Sequence, residues 1–301
     1  MHYTEAILST LCLSLVGALV YALFRLRSYK AQASSYEEAK RGLNHELNLY
    51  KKKVERVTEE KNQVMGIVSH DLKSPFNRIY ALNNLIKMEA DNLNQNQREH
   101  LDRIQNVVSE SLVLIRNMLD IRSIEFKGLE LNFRELSARK SVMDVLKTYK
   151  SVLEQKKQKL KLTFISEEEM HYLCDAQSLK RIIDNLVSNA VKYTAISGKI
   201  QVILEEDADS FSLRIIDEGP GIAEEEQSKL FKKYTILSSK PTGHESSTGL
   251  GLAVVKSFVN LLKGEVYYKT QLGEGSEFGV RIPNYSGEPG FVKMEATEKK
   301  E

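Results

Sequence analysis

Four textures of apolar and polar residues follow one another along the chain. From residue 6 to 24 the sequence AILSTLCLSLVGALVYALF carries no charge and is apolar on every helical face. Residues 31–64 are instead rich in Lys, Glu, Gln and Asn, with sparse apolar positions. Leu47, Tyr50, Val54, Val57, Val64 and Val68 fall on alternating three- and four-residue steps, with Lys61 filling the gap. That spacing predicts a coiled-coil seam, with a stutter at the four-residue step from Leu43 to Leu47. The helix is expected to continue over 66–90 and to stop at the polar break DNLNQNQ, residues 91–97. A second helix follows, with Leu101, Ile104, Val108, Leu112, Ile115 and Leu119 on one face. Two amphipathic helices joined by a short turn leave an apolar stripe that only a second hairpin covers. The pattern therefore predicts a homodimer built on a four-helix bundle.

Beyond residue 126 the period changes. LELNF (129–133), KLKLTFI (159–165), KIQVILEE (199–206), SFSLRIID (210–217), EVYYKT (265–270) and SEFGVRIP (276–283) read as strands. Helical stretches near 137–157, 176–193 and 250–262 separate them, which predicts an α+β layered domain over 126–283. Residues 284–301 read as a polar, frayed tail. The expected organisation is a short extracytoplasmic tail (1–5), a transmembrane helix (6–24), a coiled-coil linker (25–64), a helical hairpin (65–125), the α+β domain and the tail.

The transmembrane reading rests on length and charge. Residues 6–24 make about 28 Å of helix, close to the ~30 Å of a bilayer's hydrocarbon. MHYTE before the run has no positive charge, whereas Arg25, Arg27 and Lys30 follow it. That asymmetry places lipid around 6–24 and the rest of the chain in the cytoplasm, with no outer sensor domain. Composition excludes other classes. With 43 basic against 41 acidic residues and a formal charge of +2, there is no basic stripe for nucleic acid. Cys12 and Cys174 form neither a disulfide framework nor a metal-ligand spacing, so a metal must arrive with a substrate.

Candidate chemistry begins in VSHDLKSPF (68–76). With Val68 at a heptad a position, His70 takes c, on the solvent side. A lone exposed histidine is usually only a solvated side chain. Here Asp71 is adjacent, and a carboxylate bonded to one ring nitrogen makes the other a better nucleophile. Pro75 cannot donate to the Asp71 carbonyl, which weakens the helix beside the histidine. Three further stretches suit a nucleotide. RIIDNLVSNAVKYT (181–194) sets Asn185 and Asn189 one turn apart, amide oxygens suited to Mg²⁺, with Lys192 for phosphate. IIDEGPGIA (215–223) ends a strand with Asp217, able to accept from an exocyclic amine, and Gly219 and Gly221. STGLGLAVVK (247–256) sets Gly249 and Gly251 before a helix whose free N–H groups attract anions. GEGSEF (273–278) adds a glycine turn. Each alone is an ordinary helix or turn. Residues 224–248, with Phe231, Lys240, Pro241, Gly243 and His244, read as a lid; Lys240 and His244 either meet phosphate or are solvated surface.

Taken together, residues 60–283 resemble the bacterial sensor histidine kinases of two-component systems. SHDLKSP, DNLVSNAVKYT, DEGPGI, LFKKY, TGLGLA and GEGSEF stand in the family's order. The resemblance implies an ATP-binding sandwich with a mixed sheet and helices on one face, shared with DNA gyrase and a heat-shock chaperone. It implies that His70 accepts the γ-phosphate of ATP and that Asp71 activates it. Asn189, helped by Asn185, would hold Mg²⁺, with Lys192 on phosphate and Tyr193 on the adenine. Asp217 would read the adenine amine, Gly219 and Gly221 would shape the pocket, Gly249, Leu250 and Gly251 would form the phosphate turn, and Phe231 would anchor the lid. Asn185 stands where related hydrolases look to hold a Glu base, and an amide cannot activate water. Ser74 replaces the Thr or Asn that positions water for partner dephosphorylation in many relatives, and Phe76 replaces a Leu. The implied partner is the receiver domain of a separate response regulator, and the implied location is the bacterial cytoplasmic membrane. A non-catalytic scaffold or a phosphatase on the same fold is the alternative reading.

Overall fold

The computed structural model describes residues 2–90, 92–126, 129–242 and 247–294. Within α1, the side chains of residues 2–16, 18, 31, 33–34, 38–39, 61–63, 65 and 69–70 lie outside the described set, as do those of 125–126 in α2. The chain divides into two compact units, Met1–Lys61 and Asn62–Glu301.

One helix, α1, runs from His2 to Glu89, and α2 follows from Gln95 to Phe126. No residue in 31–65 forces a break, and α1 stays helical even through Pro75. The predicted seam is on the surface: Leu47, Tyr50, Val54, Val57, Val64 and Val68 are 48–65% exposed. Among the described residues no helix is long and apolar enough to cross a membrane. Of the apolar run 6–24, the side chains of 6–16 and 18 fall outside those residues.

The turn between the helices is held by Asn94 and Gln97, each side chain accepting the other's backbone N–H at 2.9 Å. The two helices run antiparallel. Asn83 Nδ2 donates to the Leu101 carbonyl and Gln105 Nε2 to Asn84 Oδ1, both at 3.0 Å. Near the other end the Arg122 guanidinium lies against Gly66, where a Cβ would collide with it.

The remaining residues fold as β1 (Leu129–Ser137), α3 (Ala138–Thr148), α4 (Lys150–Gln155), β2 (Lys159–Phe164), β3 (His171–Asp175), α5 (Ala176–Tyr193), β4 (Lys199–Glu206), β5 (Ser210–Asp217), α6 (Glu224–Gln227), α7 (Gly251–Leu261), β6 (Glu265–Gln271), β7 (Gly275–Pro283) and β8 (Gly290–Met294). Five strands form a mixed sheet in the order β2-β4-β5-β7-β6, with β2 parallel to β4 and the other pairs antiparallel. The inward positions of β4 and β5, such as Ile200, Val202, Leu204, Leu213 and Ile215, are 0–1% exposed. They join Leu179, Ile182, Ile183 and Leu186 of α5 and Val254, Val255, Phe258 and Val259 of α7 in one core. Polar side chains start two of the helices. Ser137 Oγ accepts from Lys140 N at 3.0 Å, and Asp175 Oδ1 from Ser178 N at 2.7 Å.

Two expectations need correction. The helix expected over 137–157 is split at Tyr149 into α3 and α4. The tail expected to fray from residue 284 is ordered as far as Met294. Its strand β8 pairs antiparallel with β1, giving a second sheet, β3-β1-β8, that the sequence reading did not foresee. The tail is held because Tyr285 stacks on Phe133, ring centroids 3.8 Å apart, and because Asn284 Oδ1 accepts from Leu173 N at 2.8 Å. Residues 295–301 lie outside the described set.

Candidate nucleotide site

The three nucleotide stretches meet at one cavity of about 280 Å³. From α5 come Asn185, Ser188, Asn189, Lys192 and Tyr193, one face at three- and four-residue steps. Asn185 Nδ2 donates to the Arg181 carbonyl at 2.8 Å, which fixes the amide and leaves its oxygen to other partners. A Cβ on Gly251 would stand 3.2 Å from Asn185 Oδ1 and 3.6 Å from Asn189 Oδ1, so the start of α7 abuts both amides. No side chain caps that helix, and its first N–H groups are the donors an anion needs.

Asp217 closes the other end, where β5 leaves the sheet. It is 7% exposed and accepts the Gly219 N–H at Oδ1, 2.9 Å. Burial raises its carboxyl from 3.8 to about 6, against the opposite pull of the Gly219 and Ser276 N–H groups. Two glycines hold turns that no other residue fits. Gly221 has φ +66° and Gly249 φ +65°; their Cβ atoms would lie 1.8 Å from the Gln271 carbonyl oxygen and 2.6 Å from that of Thr235.

Part of the expected lid lines the cavity through Thr235, Ile236, Leu237 and Ser239. It is tied down at several points. Ser238 donates to Glu226 from both N and Oγ, at 2.9 and 2.6 Å, and Ser239 Oγ donates to the Gly221 carbonyl at 3.0 Å. Thr242 N donates to the Lys192 carbonyl at 2.9 Å, and the Tyr193 and Ser247 hydroxyls are 2.8 Å apart.

Asn185, Asn189, Lys192, Tyr193, Asp217, Gly221, Gly249 and Gly251 are thus brought to one cavity, and four other candidates are not. Leu250, at the start of α7, is wholly buried in the core. Phe231 packs beside Tyr268, centroids 5.9 Å apart, under the Lys256 ammonium, and fits the anchor reading rather than ligand contact. Lys240 is exposed and off the cavity, and Gly219 abuts Asp217 and the Tyr193 carbonyl without lining the cavity. Gly243 and His244 lie outside the described residues.

His70 is on α1, and its side chain also lies outside the described set; Asp71 and Ser74 are exposed on the same helix. The hairpin register, Asn84 with Gln105 and Gly66 with Arg122, sets the backbone turn of His70 at the level of Met118. The sequence reading missed Ser276 and Phe278, although GEGSEF contains both. It also missed Ser109, Glu110, Val113 and Asn117 of α2, which form one wall. No group of three or more His, Cys, Asp or Glu among the described residues could hold a metal alone. Among the oxygen donors lining the cavity, the amides of Asn185 and Asn189 stand together at the start of α7 and suit Mg²⁺ arriving with phosphate oxygens. Burial pushes the Cys174 thiol up to about 12, so it takes no part.

Residues 60–127 match the His Kinase A (phospho-acceptor) domain, and residues 174–286 match the histidine kinase-, DNA gyrase B- and HSP90-like ATPase. Over 245 residues the chain is 30% identical to the signal transduction histidine-protein kinase BarA of Escherichia coli, covering 79% of this chain and 26% of that protein. It is 28% identical to hybrid signal transduction histidine kinase D of Dictyostelium discoideum, over 80% of this chain and 16% of that one. The chain therefore spans about a quarter or less of these two relatives. The full-length ShkA structure in complex with AMPPNP shares the fold, with a TM-score of 0.59 at 21% identity over 75% of this chain and 47% of that one. A phospho-acceptor hairpin and the matching ATPase domain, in that order on one chain, place this protein in the histidine kinase family.

Proposed function

We propose that this chain is an ATP-dependent protein-histidine kinase that phosphorylates its own His70. One observation carries the reading: a single cavity gathers the asparagine pair, Asp217 and the two glycine turns, and a helix of the acceptor hairpin forms its wall. Asp217 accepts from the adenine amine at the buried end. Lys192 and the N–H groups opening α7 hold phosphate at the other, with Asn189 and Asn185 as the protein ligands of Mg²⁺, which would supply charge neutralisation. An imidazole nitrogen of His70 attacks the γ-phosphorus, the bond to the β-phosphate oxygen breaks, and ADP leaves with that electron pair. The Asp71 carboxylate stabilises the positive charge that develops on the ring and accepts the proton from its other nitrogen. With Asn185 in place of a carboxylate, the site has no base there to activate water.

The exposed seam of α1 and the apolar faces of the hairpin support a homodimer. The phosphoryl group then passes to an aspartate on a response-regulator receiver domain. In support, the solved kinase ThkA is in complex with the response regulator TrrA, and this chain shares its fold at a TM-score of 0.52. The charge-free run 6–24 and the basic residues after it support a single span in the bacterial cytoplasmic membrane, the kinase facing the cytoplasm. The test is γ-labelled ATP given to the full-length chain in detergent. An acid-labile, base-stable label is expected on His70 and lost in His70→Gln; label persisting in that variant refutes the assignment.

A further inference from the structure

Ser109, Glu110, Val113 and Asn117 belong to no nucleotide motif, yet they reach the cavity from α2 at helical spacing. The helix is fastened there. Asp120, one turn beyond Asn117, meets Arg181 of α5 at 3.1 Å, both side chains less than a quarter exposed. Arg181 in turn lies one helical turn before Asn185. The helix itself packs against α7, whose first residue abuts Asn185 and Asn189, so the α2 stripe lies at that end of the cavity.

Asn117 is the exceptional member of the stripe. It is 4% exposed and forms no hydrogen bond with another described residue. Gln158 and Asn83, also buried, each donate to a backbone carbonyl, that of Thr194 at 2.8 Å and that of Leu101 at 3.0 Å, while their amide oxygens are closed off in the core. The Asn117 amide is not sealed off in the core, so a ligand in the cavity can reach it. We infer that Asn117 is a positioning residue whose side-chain amide donates to the terminal phosphoryl group of the bound nucleotide. Phosphate oxygens accept only, and an amide carries two N–H donors; Asn117 lines the cavity. The hairpin register also sets Asn117 beside the level of His70. The same contact thus draws the terminal phosphorus toward the helix pair that carries the acceptor. This rests on the nucleotide reading of the cavity.

The test compares ADP, which lacks the terminal group, with AMPPNP, by titration calorimetry on the full-length chain in detergent. Asn117→Ala should weaken AMPPNP about tenfold and leave ADP within twofold, the unchanged ADP affinity also reporting an intact fold. Asn117→Asp should weaken AMPPNP further by charge repulsion, and Asn117→Gln should recover part of the loss. Equal losses for both ligands, or no loss for either, overturn the assignment to Asn117 while leaving the cavity a nucleotide site. If the unaltered chain binds neither ligand, the nucleotide reading falls and this inference with it.

Discussion

Replacing Asp217 by asparagine should stabilise the empty protein at neutral pH while weakening its hold on adenine nucleotides. The reasoning starts from burial, which raises the carboxyl from 3.8 to about 6 despite two backbone N–H donors. A difference of that size means that ionised Asp217 costs the fold about 3 kcal/mol at pH 7.5. Because the folded value lies above the unfolded one, the fold favours the protonated form. The resulting stability is fully present below about pH 4, declines between about pH 4 and 6, and is absent above. Asparagine removes the charge at every pH. It keeps a carbonyl for the Gly219 N–H but turns a second donor toward the Ser276 N–H, a loss of about 1 kcal/mol. The net gain at pH 7.5 is about 2 kcal/mol, or roughly 4–8 °C in melting temperature for a domain of this size. Near pH 4.5 the gain should vanish. Scanning calorimetry of both proteins from pH 4.5 to 8 reads the difference directly. A gap that does not change with pH, or a variant less stable at pH 8, refutes the argument. Affinity for ADP should fall at least tenfold in the same variant, since the adenine amine loses its carboxylate acceptor.

Other consequences can be checked more briefly. Asn189→Ala should abolish the Mg²⁺-dependent part of ATP affinity, seen as binding that no longer responds to EDTA. Gly249→Ala forces a Cβ at φ +65° to within 2.6 Å of the Thr235 carbonyl oxygen. It should cost about 1–3 kcal/mol and weaken nucleotide binding, both measurable by ligand-dependent thermal shift. Tyr285→Ala removes the ring stacked on Phe133 and should speed amide exchange in 290–294 while the central sheet stays protected.

Periodic segments were legible in the sequence because their burial is local and repeating. The ranges read for β4, β5 and α5 coincide with the observed elements, since alternation along a strand and a 3.6-residue period state which face is covered. The two missed strands are five residues each. HYLCD carries no alternation clear enough to announce β3, and GEPG before β8 reads as a turn. β8 exists because the edge of β1, some 160 residues earlier, accepts it, and a partner so distant leaves no trace in the local pattern.

The candidate site divides in the same way. Turn glycines, paired amides on one helix face and an acid at a strand end are short-range chemistry, so motif spacing exposed them. Which side chains face the cavity is set by packing across the domain. Leu250 lies between Gly249 and Gly251 yet turns into the core, and Lys240 stays in solvent. The wall formed by Asn117 and its neighbours follows from α2 packing on α7 and from the Asp120–Arg181 pair, 61 residues apart in the chain. The sequence by itself determined the elements and their chemical groups. Only the tertiary structure decided which of those groups share one cavity, because long-range packing sets that choice and no periodicity records it.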